Sequence, residues 1–265
     1  MSSRKPSIKS PEQVRFMRMA GSIVNAAHEA AAGVIRPGVT LAEIDAVVDE
    51  VIASRDGEPL FKGHSVPGVA PFPAATCISV NEEVVHGIPD DRTLKEGDVV
   101  SVDVGVRYRG WCADAAVTWP VGNVSSDRRR LLRVTEAALR AALRTLRPYV
   151  RWSEVAAAIE EEVTRGGFTI LQQLVGHGIG REMWEAPQLP NYAGSGVDFV
   201  AVPGLVLAIE PMATMTSRFV RQGSDGWTMT TADGQPAAHF EHTVAVTVTG
   251  IEVLTLGENG FGWAQ

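Results

Sequence analysis

Residues 97–119, GDVVSVDVGVRYRGWCADAAVTW, predict a β-hairpin around which the chain is organised. Valines alternate with small or polar residues in its first strand, the period of a half-buried strand. A turn centred between Tyr108 and Arg109 places Asp103 opposite Asp114, with Cβ atoms about 5 Å apart. Because two opposed carboxylates repel each other, the pair predicts a cation between them, most simply a metal ion. The alternatives are two solvent-exposed aspartates, or a bulge that changes the register.

Composition limits the classes of protein. The 265 residues are 45% apolar and 21% charged, which is ordinary for a globular protein. No apolar run approaches about 18 residues, so we expect no membrane span; without a signal core, we expect a soluble cytoplasmic protein. The net charge of −7 argues against a specific nucleic-acid partner. Cys77 and Cys112 are the only cysteines, and we expect both to be reduced.

An internal repeat predicts two related halves. Ser10 and Gln13 form a capping box for a helix that runs to about Gly33, and Thr40 and Glu43 open a second helix. A shift of 111 residues lays residues 26–43 on 137–154 with eight identities in eighteen, including a shared Arg-Pro-x-Val. We therefore predict a single catalytic domain over residues 11–253, with halves of about 11–122 and 123–253. Residues 1–10 are predicted to be a flexible basic tail, and residues 254–265 a C-terminal tail.

Strands in the second half are predicted around residues 169–176, 205–210 and 239–248. Glu241 falls within the last of them. Residues 214–235 are polar and contain glycine, which favours a long hairpin connection. Glu182 and Glu185 are interpreted as a solvated loop face.

Five residues offer metal-ligand chemistry: Asp103, Asp114, Glu210, Glu241 and His177, the last framed by glycines in Gly-His-Gly-Ile-Gly. An oxygen-rich site with one imidazole suits harder divalent ions such as Mn, Fe(II) or Co. Four carboxylates are too many for one ion and suit two ions about 3.5 Å apart. Each residue also has an ordinary explanation: an arginine partner for Glu241, a strand end for Glu210, and a loop hydrogen bond for His177.

The motifs then match a family. VNEEVVHGIPD (80–90), the hairpin ending in Asp114, VGHGIGREMWEAPQLPNY (175–192), AIEPM (208–212) and FEHTVAV (240–246) resemble those of methionine aminopeptidase, type I short bacterial form. The match runs from about residue 11 to 253. The resemblance implies an α/β (α+β) "pita-bread" fold: an antiparallel-rich central sheet, flanking helices and two related halves.

The resemblance also implies roles at the site. Asp103 would chelate one of two divalent metal ions (Co, Mn, Fe or Zn), Asp114 and Glu241 would bridge both, and His177 and Glu210 would hold the other. A water bound between the ions would attack the scissile carbonyl, with Glu210 as general base and later acid. His86 would hydrogen-bond the substrate's backbone nitrogen. The methionine side chain would lie among Cys77, Phe72 and Trp227.

One position departs from the family pattern. Trp184 stands where the family has a second histidine that helps to stabilise the developing oxyanion, and Met183 replaces the usual neighbouring aromatic residue. Indole has one N–H donor and no acceptor. The five metal ligands are intact, so we expect metal binding to survive, whereas efficiency or substrate choice depends on Trp184.

The resemblance implies removal of the N-terminal methionine from nascent chains with a small second residue. We expect a monomer without membrane association, and consider the ribosome surface as a further contact. Within enzymes the alternative is a proline-directed peptidase, against which the short chain speaks. The alternative from another class of function is a low-activity paralogue that binds peptides or proteins.

Overall fold

The structure is a computed structural model that describes residues 5–257. The first half of the chain forms α1 (Pro11–Val34), α2 (Leu41–Ser54), β1 (Glu58–Pro59), β2 (Cys77–Val80), β3 (Glu83–Val85), β4 (Val99–Tyr108) and β5 (Trp111–Pro120). The second half forms α3 (Ser126–Thr145), α4 (Trp152–Arg165), β6 (Thr169–Ile170), β7 (Gly176–Gly178), β8 (Glu185–Leu189), β9 (Val206–Ile209), β10 (Met212–Thr214), β11 (Val220–Gln222), β12 (Met229–Thr231), β13 (Ala237–His239), β14 (His242–Val246) and β15 (Ile251–Val253).

Both predicted helix starts are confirmed. The Ser10 hydroxyl accepts a hydrogen bond from the Gln13 N–H, and the Gln13 side chain accepts one from the Ser10 N–H. Thr40 and Glu43 make the same reciprocal pair at the start of α2. Each box satisfies N–H groups that the first helical turn leaves without an intrahelical partner.

The two halves repeat one helical layout, as the sequence repeat predicts. The bounds of α4 are those of α2 shifted by 111 residues, and α3 ends 111 residues after α1. Each half has its own buried apolar cluster: one packs α1 and α2 against β4, and the other packs α3 and α4 against the second-half strands. The helices therefore cover the sheets of each half. The candidate metal ligands from the two halves meet between them.

The central hairpin forms, but its predicted register is wrong. The turn is Arg109-Gly110, and both residues have positive φ values, 48° and 77°, as a two-residue hairpin turn requires. Because this turn lies one residue later than predicted, Asp114 pairs with Gly105, and Asp103 pairs with Ala116. The two aspartates are thus diagonal neighbours on one face, still within reach of a shared ligand.

The strands of residues 5–257 form four sheets. A four-stranded sheet has the order β1-β4-β2 with β5 beside β4, and a five-stranded sheet has the order β15-β14-β9-β7-β8. Two three-stranded sheets have the orders β13-β10-β6 and β11-β12-β3. Residues 214–235 are therefore not a simple hairpin connection, because β12 pairs with β3 of the first half. The strand predicted over 169–176 is also divided between two sheets, as β6 and β7.

Hydrogen bonds across the halves bring their carboxylates together. The Asp114 N–H donates to Thr243 Oγ1 (2.9 Å), and the Thr243 hydroxyl donates to the Asp114 carbonyl (2.8 Å). The Glu241 N–H donates to the Ala116 carbonyl of β5 (2.9 Å). Glu241 was predicted inside a strand; it lies instead in the break between β13 and β14, because its N–H is directed to the other half.

The predicted tail boundaries are wrong where the chain is described. Lys9 is 4% exposed, and its N–H donates to the Gly204 carbonyl. At the other end, Leu254 packs in an apolar cluster, and the Thr255 hydroxyl hydrogen-bonds His242 Nδ1. These residues belong to the folded unit. The remaining parts of the predicted tails, residues 1–4 and 258–265, lie outside the described residues.

Candidate metal centre

One cavity of about 280 Å³ collects the predicted metal ligands from both halves. Its lining includes all five of them: Asp103, Asp114, His177, Glu210 and Glu241. The two aspartates come from the central hairpin; His177 lies within β7, Glu210 directly follows β9, and Glu241 lies between β13 and β14. The structure thus brings together every residue that the sequence proposed as a ligand.

The glycine frame fixes the direction of His177. Its Nδ1 donates to the Gly178 carbonyl (2.9 Å), so the unprotonated Nε2 is available to a cation. Nε2 lies 3.5 Å from Glu210 Oε1. A Cβ on Gly176 would come within 2.4 Å of the Ala208 carbonyl oxygen, so only glycine lets β7 approach β9 this closely.

His239, which the sequence interpretation missed, also belongs to the cluster. Its Nε2 lies 3.6 Å from Glu210 Oε2 and 3.7 Å from Glu241 Oε2. Ligand atoms of Glu210, His239 and Glu241 all lie within 4.8 Å of one another, as do those of Asp114, His177 and Glu241. The sequence signal that could have found it is the spacing of two between His239 and Glu241 in the stretch predicted as a strand, where alternate residues share one face.

Burial perturbs the pKa values of the candidate ligands. Desolvation raises the pKa of Asp114 to about 7, and raises the pKa values of Asp103, Glu210 and Glu241 well above the usual range, assisted by mutual repulsion. Burial lowers the pKa of His177 to about 4. Neutral imidazole is the form that binds a metal ion.

The residues fit divalent cations. Asp103 Oδ1, Asp114 Oδ1 and Glu241 Oε1 are buried without a hydrogen-bond partner, and so are both ring nitrogens of His239. Within residues 5–257, the ion pairs of the four carboxylates involve only imidazoles, never a lysine or arginine. Buried carboxylates without a cation are costly, and a carboxylate–imidazole set suits Mn, Fe, Co or Zn.

These shifted pKa values predict how pH changes the stability of the metal-free protein. Above pH 7 the histidines are neutral in both the folded and the unfolded protein. The carboxyl groups are ionised in the unfolded protein, whereas their raised pKa values keep them partly protonated in the folded protein. The folded state then binds more protons than the unfolded state, so stability falls as the pH rises. We expect the Tm of EDTA-treated protein to fall from pH 7 to 9, and added Mn to suppress the fall. A metal-free Tm that rises over this interval would contradict the prediction.

A second, apolar cavity of about 180 Å³ adjoins the cluster. Its lining includes three residues predicted to enclose a methionine side chain: Phe72, Cys77 and Trp227. The Phe72 and Trp227 rings pack edge to face at 5.4 Å, and the Trp227 indole N–H donates to the Ala70 carbonyl. Met183 packs against the same group and is 5% exposed. Phe61, also in the lining, was not predicted.

His86 connects the two cavities, since it lines both. It follows β3 with a φ of 58°, an uncommon conformation for a residue other than glycine. Burial, and then the neighbouring His64, lower its pKa to about 4. The neutral ring can donate one hydrogen bond and accept another at the junction of the cavities.

Trp184 also lines both cavities and covers their mouth. It is 43% exposed, and its ring centroid lies 4.5 Å from that of His64 and 6.3 Å from that of His177. The indole therefore lies beside both His64 and His177, at the edge of the carboxylate cluster. His64, from the loop between β1 and β2, was not predicted as a site residue.

Glu185 holds the loop that carries Trp184. One carboxylate oxygen accepts hydrogen bonds from the Arg181 and Glu182 N–H groups, and the other pairs with the Lys9 ammonium at 2.7 Å. The Lys9 side chain is 1% exposed. The interpretation of Glu185 as a solvated residue was wrong, because its partner is a buried lysine from the N-terminal segment.

Comparison with known proteins identifies the class. Residues 15–248 match the model of metallopeptidase family M24, and the chain belongs to that family. It is 42% identical to methionine aminopeptidase 1 of Bacillus subtilis over 93% of this chain and 98% of that enzyme. It is 37% identical to the Escherichia coli K12 methionine aminopeptidase over 94% of each chain.

Solved structures agree. Methionine aminopeptidase from Thermotoga maritima superposes with a TM-score of 0.91 at 42% identity, covering 95% of this chain and 99% of that one. Prolidase from Pyrococcus furiosus, at 23% identity and a TM-score of 0.75, shares the fold. The predicted pita-bread α/β fold, the resemblance and the metallopeptidase class are confirmed. Within residues 5–257, no helix is both long and apolar enough to cross a membrane.

Proposed function

We propose that this chain removes N-terminal methionine from peptides and nascent proteins by metal-dependent hydrolysis. The observation that carries the proposal is the junction of two cavities: one lined by carboxylates and imidazoles, the other apolar and aromatic, with His86 and Trp184 lining both. A flexible thioether suits the apolar cavity. The scissile bond then lies beside the carboxylates. High identity to methionine aminopeptidases over nearly the whole chain supports the same assignment.

In the proposed mechanism, two divalent ions would be held by Asp103, Asp114, His177, Glu210 and Glu241. When bound, these ions would acidify a water molecule and polarise the scissile carbonyl. Glu210 takes a proton from the attacking water and later donates it to the departing amine. Burial and the neighbouring Asp114 raise the pKa of Glu210, which favours uptake of a proton at this carboxylate.

Two side chains orient the substrate in this proposal. His86 hydrogen-bonds the substrate's backbone nitrogen from the junction of the cavities. Trp184, at the cavity mouth, restricts how the substrate enters, without the oxyanion contact of the family histidine that it replaces. A family histidine in its place would offer a smaller ring, so the indole narrows access for the residue after methionine.

A peptide panel tests the assignment. We expect Mn- or Co-loaded protein to release the first residue of Met-Gly-Phe, and to act more slowly on Leu-Gly-Phe and Met-Leu-Phe. N-acetyl-Met-Gly-Phe should be resistant, because an aminopeptidase requires a free α-amino group. Equal hydrolysis of Met-Gly-Phe and Leu-Gly-Phe would overturn the proposed specificity.

Filling the apolar cavity provides a second test. Cys77 is 2% exposed in its wall. Cys77→Leu adds two heavy atoms there, so we expect kcat/KM for Met-Gly-Phe to fall about 10–100-fold, a typical effect of a small change in pocket volume. Cys112→Leu is the control, since Cys112 is buried in a different apolar cluster. Similar losses in both variants at matched Tm would contradict the pocket assignment.

Trp184 supports a second candidate function. Its indole occupies the mouth of both cavities, so a low-activity member with altered peptide specificity, or one that binds peptides or proteins, is the alternative. The presence of all five candidate metal ligands favours the enzyme, because peptide binding alone does not require five buried ligands.

In the proposed function the enzyme acts as a cytoplasmic monomer on chains with a small second residue, close to the ribosome surface.

A further inference from the structure

We propose that His239 is an additional protein ligand of the metal centre, binding through Nε2 to the ion that Glu210 and Glu241 share. This inference rests on the metal centre of the proposed function. It concerns a residue outside the five ligands that the sequence resemblance implies.

The burial of His239 is the first observation. The side chain is 1% exposed, and neither ring nitrogen has a hydrogen-bond partner within the described chain. An imidazole buried with both nitrogens unsatisfied loses its interactions with water without compensation. A metal ion at Nε2 would supply the missing partner on the side that faces the carboxylates.

The separations between ligand atoms are the second observation. His239 Nε2 lies 3.6 Å from Glu210 Oε2 and 3.7 Å from Glu241 Oε2. These distances are too long for hydrogen bonds. Two atoms bound to one ion at about 2.1 Å and near-tetrahedral angles lie about 3.4 Å apart. His177 Nε2, a ligand implied by the resemblance, lies at a similar 3.5 Å from Glu210 Oε1.

The backbone of His239 is held in place. The Thr118 hydroxyl donates to the His239 carbonyl (2.7 Å), and the His239 N–H donates to the same hydroxyl oxygen (2.9 Å). On the other side, Met212 of β10 is its strand partner. The ring therefore projects from a strand end fixed by neighbours on two sides, as a preorganised ligand requires.

Glu210 consequently lies between two imidazoles, with Oε1 toward His177 and Oε2 toward His239. A second nitrogen donor shifts the preference of a carboxylate site from Mn toward Co or Zn. We expect His239→Gln to weaken Co binding by at least about 10–100-fold, the range seen even when only a partner of a ligand is lost. The ratio of Co to Mn affinity should fall as well.

Paramagnetic NMR of the Co(II)-loaded full chain counts the bound imidazoles directly. An imidazole bound through Nε2 keeps its Nδ1–H, which gives a strongly shifted, exchangeable proton signal. We expect two such signals in the wild type and one in His239→Gln. His28→Gln is the matched control: His28 is buried and hydrogen-bonded to the Ala115 carbonyl, outside the cluster. It should keep both signals and the Co affinity.

One shifted signal in the wild type would overturn the proposal even if His239→Gln failed to fold. A second signal that survives His239→Gln and disappears in His86→Gln would also overturn it. Two signals without methionine release would support His239 as a ligand and contradict the proposed function. Methionine release with only one signal would support the proposed function and contradict His239 as a ligand. A chain that binds no Co would overturn both.

Discussion

Glu210→Gln is expected to lower kcat for methionine release by about 10²–10⁴-fold, the usual contribution of a general acid–base group. An amide cannot accept the proton of the attacking water or return it to the amine. The change also replaces a carboxylate at the centre of the cluster, between His177 and His239. The measurement is the initial rate on Met-Gly-Phe with saturating Mn.

The control for this variant is Glu161→Gln on α4, an exposed glutamate outside the cavity lining. It should retain wild-type kcat. Metal content is measured on the same samples, so that lost ions are distinguished from lost proton transfer. A Glu210→Gln enzyme within tenfold of the wild type, with bound metal, would contradict the assigned role.

Trp184→His is expected to raise kcat for Met-Gly-Phe by about 10²–10³-fold, the typical value of one oxyanion donor. The imidazole restores a smaller donor at the mouth of the metal cavity, where the indole now contacts His64 and His177. Trp184 is 43% exposed, so the substitution should cost little stability. Steady-state kinetics at matched metal loading would measure the change.

Trp184→Phe tests the contribution of the indole N–H separately from that of the aromatic ring. It keeps an aromatic side chain but removes the N–H, so a rate below that of the wild type would show that the indole N–H already serves the reaction. A wild type that equals or exceeds Trp184→His would mean that Trp184 is a competent replacement. That result would contradict the expected gain.

The helices and the repeat could be predicted because their signals are local. The capping boxes at Ser10 and Thr40 fix the helix starts within four residues, and the Arg-Pro-x-Val repeat gives the 111-residue offset found between α2 and α4. The register of the central hairpin was less predictable from the sequence. It depends on whether Tyr108-Arg109 or Arg109-Gly110 forms the turn, and left-handed φ values at the latter pair decide it.

The five candidate metal ligands could be proposed from the sequence because carboxylates in apolar strands are costly without a partner, and because the motifs resemble a family. His239 was missed for the opposite reason. Its spacing of two from Glu241 is the one local sign, whereas its burial without hydrogen-bond partners and its short distances to Glu210 and Glu241 exist only in the fold. Lys9 and Glu185 meet across 176 residues of sequence, and no local pattern reports such a contact.

The most direct test is free methionine released from Met-Gly-Phe by the purified full chain, with Mn or Co and after chelation by EDTA. We expect release that requires the metal, returns on metal addition and is lost in Glu210→Gln. If both the wild type and Trp184→His bind metal and neither releases methionine, the account is contradicted and the substrate is not an N-terminal methionine.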